Sequence, residues 1–271
     1  MPKGLGKIGF IGGGNMAEAL VRGLLAGGVA VGDIVVSEPN RQRRELVSET
    51  YAITVLEDNR RLVEDCTTVV LAVKPQIAKT VLSDLCGSLT ASKLLVSILA
   101  GVTTEAIESL LKGEPRVVRA MPNTPALVSA GATAVCSGRY AAKGDLALAR
   151  KIFETVGVVV EVGEGQMDAV TGLSGSGPAY VYTIIEALAA GGVQEGLSAH
   201  LARVLATQTV LGAAQLVDSS GEHPALLRDK VCSPGGTTIA GIGALEDHGL
   251  RAALMAAVTA ATRRSSELGK S

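Results

Sequence analysis

The chain contains no tryptophan and, in 271 residues, only two phenylalanines and four tyrosines. Aromatic rings are the platforms on which single-stranded bases stack, so a nucleic-acid surface of that kind is not expected. Neither sign of charge dominates: 25 Lys and Arg stand against 26 Asp and Glu, for a formal net charge of -1. That balance excludes the broad basic footprint needed to hold a phosphate backbone or an anionic membrane surface. No apolar run is long enough to span a bilayer, and Met1 to Phe10 holds no long apolar core of a secretory signal. Cys66, Cys86, Cys136 and Cys232 form no C-x-x-C pair and no Cys/His pairing. Neither a metal site nor a disulfide framework is therefore expected, and the cysteines read as free thiols of a reducing, cytoplasmic compartment. Small aliphatic residues are what the chain does have. It is 47% hydrophobic and only 19% charged, which argues for folded cores of Ala, Val, Leu and Ile and leaves room for two domains.

The first half reads as alternating strands and helices. Lys7 to Ile11 is a short apolar run, followed at once by Gly12-Gly13-Gly14-Asn15-Met16-Ala17, a G-x-G-x-x-A motif. A helix through Leu25 and a second strand over Asp33 to Ser37 complete a βαβ start. In that context Gly12 permits a tight turn, Gly14 lets a pyrophosphate approach the backbone, and Ala17 allows close helix packing. The expected cofactor contacts here are Gly12, Gly13, Gly14, Asn15 and Met16. The end of the second strand, Ser37-Glu38-Pro39-Asn40-Arg41, carries mixed signals. Glu38 leans to the ribose hydroxyls of NAD, whereas Ser37, Asn40 and Arg41 lean to the 2′-phosphate of NADP, and spacing leaves the two open. Arg43 and Arg44 read equally as a solvated helix start.

Further strands are expected over Thr68 to Val73, Leu94 to Leu99 and Arg116 to Met121, with weaker β-branched runs over Ala132 to Cys136 and Val158 to Val162. They end in Ala72-Val73-Lys74-Pro75, Ala100-Gly101 and Pro122-Asn123, where a parallel sheet presents its ligand edge. These residues are candidates to border the cofactor. The fold class is thus α/β, with a Rossmann-type parallel sheet domain over residues 1–162.

From residue 163 to 271 strand-like runs give way to Ala/Leu-rich helical stretches, read as a helical substrate-binding and dimerisation domain. Leu173 to Pro178 reads as a small-residue loop, with Pro178 in the first turn of a helix that stops before Gly191-Gly192. Later helices are expected from about Ser198 to Val217, from Pro224, from Thr237 to Leu245 and from Leu250 to Ser266. Helices that are apolar nearly all round need another apolar surface, so packing on a second copy of the chain is expected. Between the helix from Pro224 and that from Thr237 lies Ser233-Pro234-Gly235-Gly236-Thr237-Thr238. Alone, it is either a capped interhelical turn or a cradle for a small anion at a helix N-terminus.

At this point the chain resembles the pyrroline-5-carboxylate reductase family, which makes proline in the last biosynthetic step. The resemblance rests on Phe10 to Ala17, Ala72 to Pro75, Met121 to Pro125, Leu173 to Tyr180 and Val231 to Thr238, and covers nearly the whole length. It implies a Rossmann domain followed by a helical, dimer-forming domain, with dimers assembled into larger rings such as decamers. It implies NADPH as the usual hydride donor, with NADH accepted by some members. It further implies that Asn59 lies near the 2′-phosphate, that Ala72, Lys74 and Pro75 touch the nucleotide, and that Ser176 and Gly177 border the nicotinamide. Ser233, Gly235, Gly236, Thr237 and Thr238 are expected to hold the small-molecule substrate, with Thr238 as the catalytic candidate. The chain departs from the family pattern at Cys232, where many members carry Ser or Thr, and at Glu222, where some members carry their acidic residue one position earlier.

A cyclic imine bearing a carboxylate needs three things: a bound carboxylate, a hydride donor and a hydrogen-bonded nitrogen. The Gly236-Thr237 helix start and the Ser233 hydroxyl suit the first. Thr238 suits the last as an orienter or proton relay, since threonine is a poor acid. His200, His223 and His248 stand outside these motifs and read as surface or packing residues. Two alternatives remain: a related two-domain imine or β-hydroxyacid dehydrogenase using Lys230, and a non-enzymatic dinucleotide sensor.

Overall fold

The computed structural model describes residues 5–269. Its contacts divide them into two compact units: residues up to Ser176 together with those from Ala260 onward, and Gly177–Thr259.

The first unit is built on one eight-stranded sheet. In chain order it runs β1 (Ile8–Ile11), α1 (Asn15–Ala26), β2 (Ile34–Ser37), α2 (Arg41–Tyr51), β3 (Thr54–Leu56), α3 (Asn59–Asp65), β4 (Thr68–Leu71) and α4 (Pro75–Leu85). It continues with β5 (Leu94–Ser97), α5 (Thr104–Leu110), β6 (Arg116–Met121), β7 (Gly131–Ser137), α6 (Lys143–Phe153), β8 (Gly157–Glu161) and the short α7 (Met167–Val170). The spatial order is β3-β2-β1-β4-β5-β6-β7-β8. β1 to β6 pair in parallel, whereas β6 and β7 pair antiparallel with Val118 opposite Ser137. β8 then pairs parallel to β7. The expectation of a parallel sheet therefore holds for β1 to β6, and the two weaker runs form a reversed pair at the edge. β6 leads through a one-turn 3₁₀ segment, Thr124–Val128, directly into β7. With no crossover helix between them, the chain turns back antiparallel.

Alternation along the strands sends side chains to two cores. Ile8, Phe10, Val70 and Val96 meet α1, α2 and α6 through residues such as Leu20, Val47 and Phe153. Ile11, Val69, Leu71 and Leu95 meet α3, α4 and α5 through Leu62, Leu82 and Ile107. Strands buried on both faces read as continuous apolar runs, which is why they are visible in the sequence. β3 escapes that reading. It is an edge strand of three residues with its Thr54 exposed, too short and too mixed to show a pattern.

The second unit is helical: α8 (Gly177–Gln194), α9 (Ala199–Ser220), α10 (Pro224–Val231), α11 (Thr237–Asp247) and the first part of α12 (Leu250–Leu268). α8 runs through Gly191-Gly192, contrary to the expected stop. A Cβ at Gly192 would sit 3.2 Å from the Ala202 Cβ of α9, so this glycine serves the α8–α9 approach, and the helix ends instead before Gly196. The Leu173 to Pro178 stretch is not a loop either. Thr171–Gly175 forms a π-helical turn, closed by the Ser176 N–H on the Thr171 carbonyl at 2.8 Å. Among the described residues no helix is long and apolar enough to cross a membrane.

Candidate active site

The sheet order lays the expected cofactor residues side by side. β2, β1, β4, β5 and β6 are neighbours, and their carboxyl ends carry Ser37, Gly12, Ala72, Ala100 and Asn123 in that spatial order. Gly12 turns with φ +98°, a region closed to most residues, and its N–H bonds the Ser37 carbonyl at 2.8 Å. A Cβ on Gly12 would meet the Ala72 carbonyl at 2.7 Å, so glycine is needed where β1 passes β4.

Gly14 leads α1 with no side-chain cap, and nothing lies within 4 Å of where its Cβ would be. The N–H groups at the start of α1, on Asn15 and Met16, have no intrahelical partner, and the space beside Gly14 is open, as a pyrophosphate requires. Lys74 leads α4 in the same uncapped manner, with Pro75 in the first turn. Lys74 is exposed and makes no ion pair among the described residues. These features fit a dinucleotide.

The rim of this loop differs from the sequence reading. The Glu38 carboxylate accepts from the Gly13 N–H at 2.9 Å and from the Asn40 N–H at 3.0 Å. Asn40 itself caps α2, its Oδ1 accepting from the Arg43 N–H at 3.0 Å. Arg43 and Arg44 are not a solvated helix start. Arg43 donates from Nε to the Gly13 carbonyl at 2.6 Å and pairs with Glu18. Arg44 donates to the carbonyls of Glu38 and Pro39 and pairs with Glu57 at 3.0 Å. Arg41 is the exposed one, paired only with Glu45 one turn on. Burial works to raise the Glu18 carboxyl, but hydrogen bonds from Arg43 and Tyr51 outweigh it and hold it below its ordinary value. Ser37 and Asn59 hydrogen-bond to each other through their side chains.

Further along the edge, Gly101 (φ +75°) lies under the last turn of α12, where a Cβ on it would stand 3.3 Å from the Ser265 carbonyl. Asn123 is buried and uses both ends of its amide on backbone. Its Nδ2 donates to the Ser174 carbonyl at 3.0 Å, and its Oδ1 accepts from the Ala132 N–H at 2.9 Å. It therefore ties the π-turn, and with it Ser176, to the end of β6. Four positions before Asn123, Arg119 of β6 holds a different segment, the 3₁₀ turn Glu164–Gln166. Arg119 is 2% exposed and donates to Glu164 Oε1 at 2.7 Å, while Glu164 Oε2 accepts from the Thr104 hydroxyl at 2.7 Å. Burial works to raise the Glu164 carboxyl, yet these bonds hold it below its ordinary value. Burial and the neighbouring carboxylate push the Cys136 thiol up to about 12, so it is inert. The sequence reading missed Arg119. The available signal was a charged residue at an inward position of an otherwise apolar strand.

In the helical unit, the Gly236 N–H bonds the Ser233 carbonyl at 3.0 Å, and Gly235 turns with φ +67°. Gly236 heads α11 with no side-chain cap, leaving the N–H groups of Thr237 and Thr238 without intrahelical partners. A Cβ at Gly236 would collide with the Ser233 hydroxyl. The loop is open, with Ser233 and Thr237 exposed and Thr238 half-buried. Before it, the Lys230 ammonium donates to both carboxylate oxygens of Glu222, at 2.7 and 2.6 Å. Lys230 is therefore engaged, and so is the Glu222 carboxylate. Cys232 ends α10 with its N–H on the Asp229 carbonyl at 3.2 Å. His223 caps α10, and the His248 ring meets the Ala244 carbonyl at 2.9 Å, both backbone roles.

Comparison with known proteins matches both halves. Residues 164–268 match the family model for pyrroline-5-carboxylate reductase dimerisation, and residues 7–101 match that for coenzyme F420-dependent NADP oxidoreductases. A pyrroline-5-carboxylate reductase of Synechocystis sp. is 51% identical over 97% of this chain and 98% of its own length. The chain belongs to the pyrroline-5-carboxylate reductase family. Its relative from Arabidopsis thaliana is 45% identical over 98% of this chain and 96% of its own. Among solved structures, the Coxiella burnetii reductase superposes with a TM-score of 0.93 at 41% identity, covering 98% of this chain and 100% of that one. The Plasmodium falciparum enzyme, solved with NADP bound, gives 0.87 at 35% identity over 97% and 98% of the two chains.

Proposed function

We propose that this protein reduces 1-pyrroline-5-carboxylate to L-proline, taking hydride from NAD(P)H. The observation that carries this reading is the pair of uncapped, glycine-led helix starts, one at α1 beside the strand ends and one at α11 beside Ser233 and Thr238. An uncapped helix start is suited to a small anion: the pyrophosphate at α1, the substrate carboxylate at α11.

In this mechanism the Thr237 and Thr238 N–H groups and the Ser233 hydroxyl hold the carboxylate. The Thr238 hydroxyl hydrogen-bonds the ring nitrogen and keeps the C=N bond in one orientation. As hydride arrives the nitrogen gains electron density, and the same hydroxyl relays a proton from water to it. Gly12, Gly13, Gly14, Asn15 and Met16 cradle the pyrophosphate. Ala72, Val73, Lys74 and Pro75 border it from the next strand, with Ala100 and Gly101 beyond. Ser37, Asn40, Arg41 and Asn59 border the adenosine ribose, and Ser176 stands toward the nicotinamide. When bound, the reduced nicotinamide supplies the hydride for the imine carbon. Asn123 acts by positioning the Ser174–Ser176 turn.

Residues 1–162 serve the cofactor and residues 163–271 the substrate and the dimer. The working form is a homodimer, assembled into a larger ring such as a decamer, in the cytoplasm, in keeping with its free thiols. The direct test is oxidation of NADPH and of NADH with pyrroline-5-carboxylate as acceptor, the product identified as proline. Absence of turnover with both cofactors overturns the reading. Sedimentation velocity decides the assembly, and a lone dimer removes the ring.

A further inference from the structure

Every arginine at the start of α2 already has an acid of its own. Arg41 pairs with Glu45, Arg43 with Glu18 and Arg44 with Glu57. Glu38 is different: among the described residues its carboxylate meets only backbone N–H groups, those of Gly13 and Asn40. The strand end therefore presents one carboxylate with no ion-pair partner among the described residues, half-buried and aimed at the glycine loop, while Arg44 reaches only the Glu38 main-chain carbonyl. Its backbone is fixed too, since the Glu38 N–H bonds the Leu56 carbonyl of β3 at 3.0 Å.

We propose that Glu38 is a specificity-determining residue. Its carboxylate accepts the adenosine ribose hydroxyls of NADH and disfavours the 2′-phosphate of NADPH, so it sets the ratio in which the two are used. The inference rests on the dinucleotide reading of the Gly12–Ala17 turn and adds to it which cofactor that turn admits. A carboxylate directly after the second strand, level with the glycine loop, is where the ribose of a dinucleotide lies in such folds. A 2′-phosphate carries a charge of about -1.5 to -2 and would meet the unpaired carboxylate directly. To accept it, Glu38 must leave the Gly13 N–H, or an arginine must leave its acid. Arg41 can move most easily, with its side chain 82% exposed. NADPH is then admitted at a cost that NADH does not bear.

The test is calorimetric titration of the full-length chain with NAD⁺ and with NADP⁺, without substrate. The fragments 5′-AMP and 2′,5′-ADP serve as probes of the ribose end alone. Glu38→Ser is expected to weaken NAD⁺ about tenfold and strengthen NADP⁺ about tenfold, with 2′,5′-ADP gaining over 5′-AMP in parallel. Glu38→Gln keeps the shape and an acceptor for the Gly13 N–H. It is expected to strengthen NADP⁺ about tenfold while changing NAD⁺ less than threefold, and it reports on the charge even if the serine variant folds poorly. A ratio of the two affinities that stays within threefold of wild type in both variants overturns the role of Glu38. Wild-type protein that binds neither nucleotide overturns the dinucleotide reading itself.

Discussion

The two compact units are both rich in apolar residues and bury them very differently. All three clusters of buried apolar side chains lie in the sheet unit. In Gly177–Thr259 the buried apolar residues are Ala202 and Ala206, while Leu201, Leu205, Leu211 and Leu216 stand exposed along α9. A sheet covered on both faces closes its core within one chain. Long helices that are apolar all round cannot, and need a surface supplied from outside. Residues 164–268 match the family model for pyrroline-5-carboxylate reductase dimerisation, in keeping with a second copy of the chain as that surface. The sheet unit thus closes its own core, whereas the helical unit depends on a surface outside it.

The largest effect should come from attacking that dependence. Leu205→Glu on α9 is expected to dissociate the dimer and lower turnover about a hundredfold or more, while NADP⁺ affinity changes less than threefold. Sedimentation and calorimetry read the two outcomes, and a fully active monomer would break the contrast between the units. Next comes Thr238→Ala, expected to lower kcat about ten- to a hundredfold with cofactor affinity unchanged, since the hydroxyl acts in the chemical step. Unchanged turnover removes Thr238 from the mechanism. Gly236→Val should then raise the KM for substrate about tenfold, because the new side chain collides with Ser233 and crowds the open N–H groups. An unaltered KM would sink the carboxylate assignment to α11.

The smallest effect belongs to the sheet unit. The Glu164 carboxyl titrates below its ordinary 4.5 in the folded chain, so its stabilising contribution is present above that value and lost as pH falls through the folded one. Glu164→Gln is expected to cost about 1–3 kcal/mol at neutral pH and to flatten the acid limb of the melting temperature. Melts recorded between about pH 3 and 7 test this, and a limb as steep as wild type shows that another carboxyl carries it.

Much of the site can be read directly from sequence because its parts are local. Gly12 to Ala17 and Ser233 to Thr238 each place the needed glycines and hydroxyls within one turn of chain, and the structure leaves both helix starts uncapped. What sequence reading misses is joined across distance. Arg43 reaches Gly13 and Glu18 from the next helix, and Arg119 reaches Glu164 from β6. No local pattern announces such pairs. The π-turn at Thr171–Gly175 reads as a loop because Gly and Ser are poor helix formers. It persists because a Cβ on Gly175 would meet Met121 at 2.7 Å, and because Asn123 holds the Ser174 carbonyl. Gly191-Gly192 errs the other way, for α9 packs against the α8 glycine that was expected to break the helix.

By itself the sequence determines the alternation of strands and helices, the two glycine-led helix starts and the family, since each depends on residues close together in the chain. Only the tertiary structure decides that β7 and β8 run against the other strands, that Arg43 serves the glycine loop and Arg44 the end of β2, and that the Glu38 carboxylate makes no ion pair among the described residues. Pairing direction and charge compensation depend on which distant residues come within a few ångströms. That is set by the packing of the sheet and its helices, not by spacing along the chain.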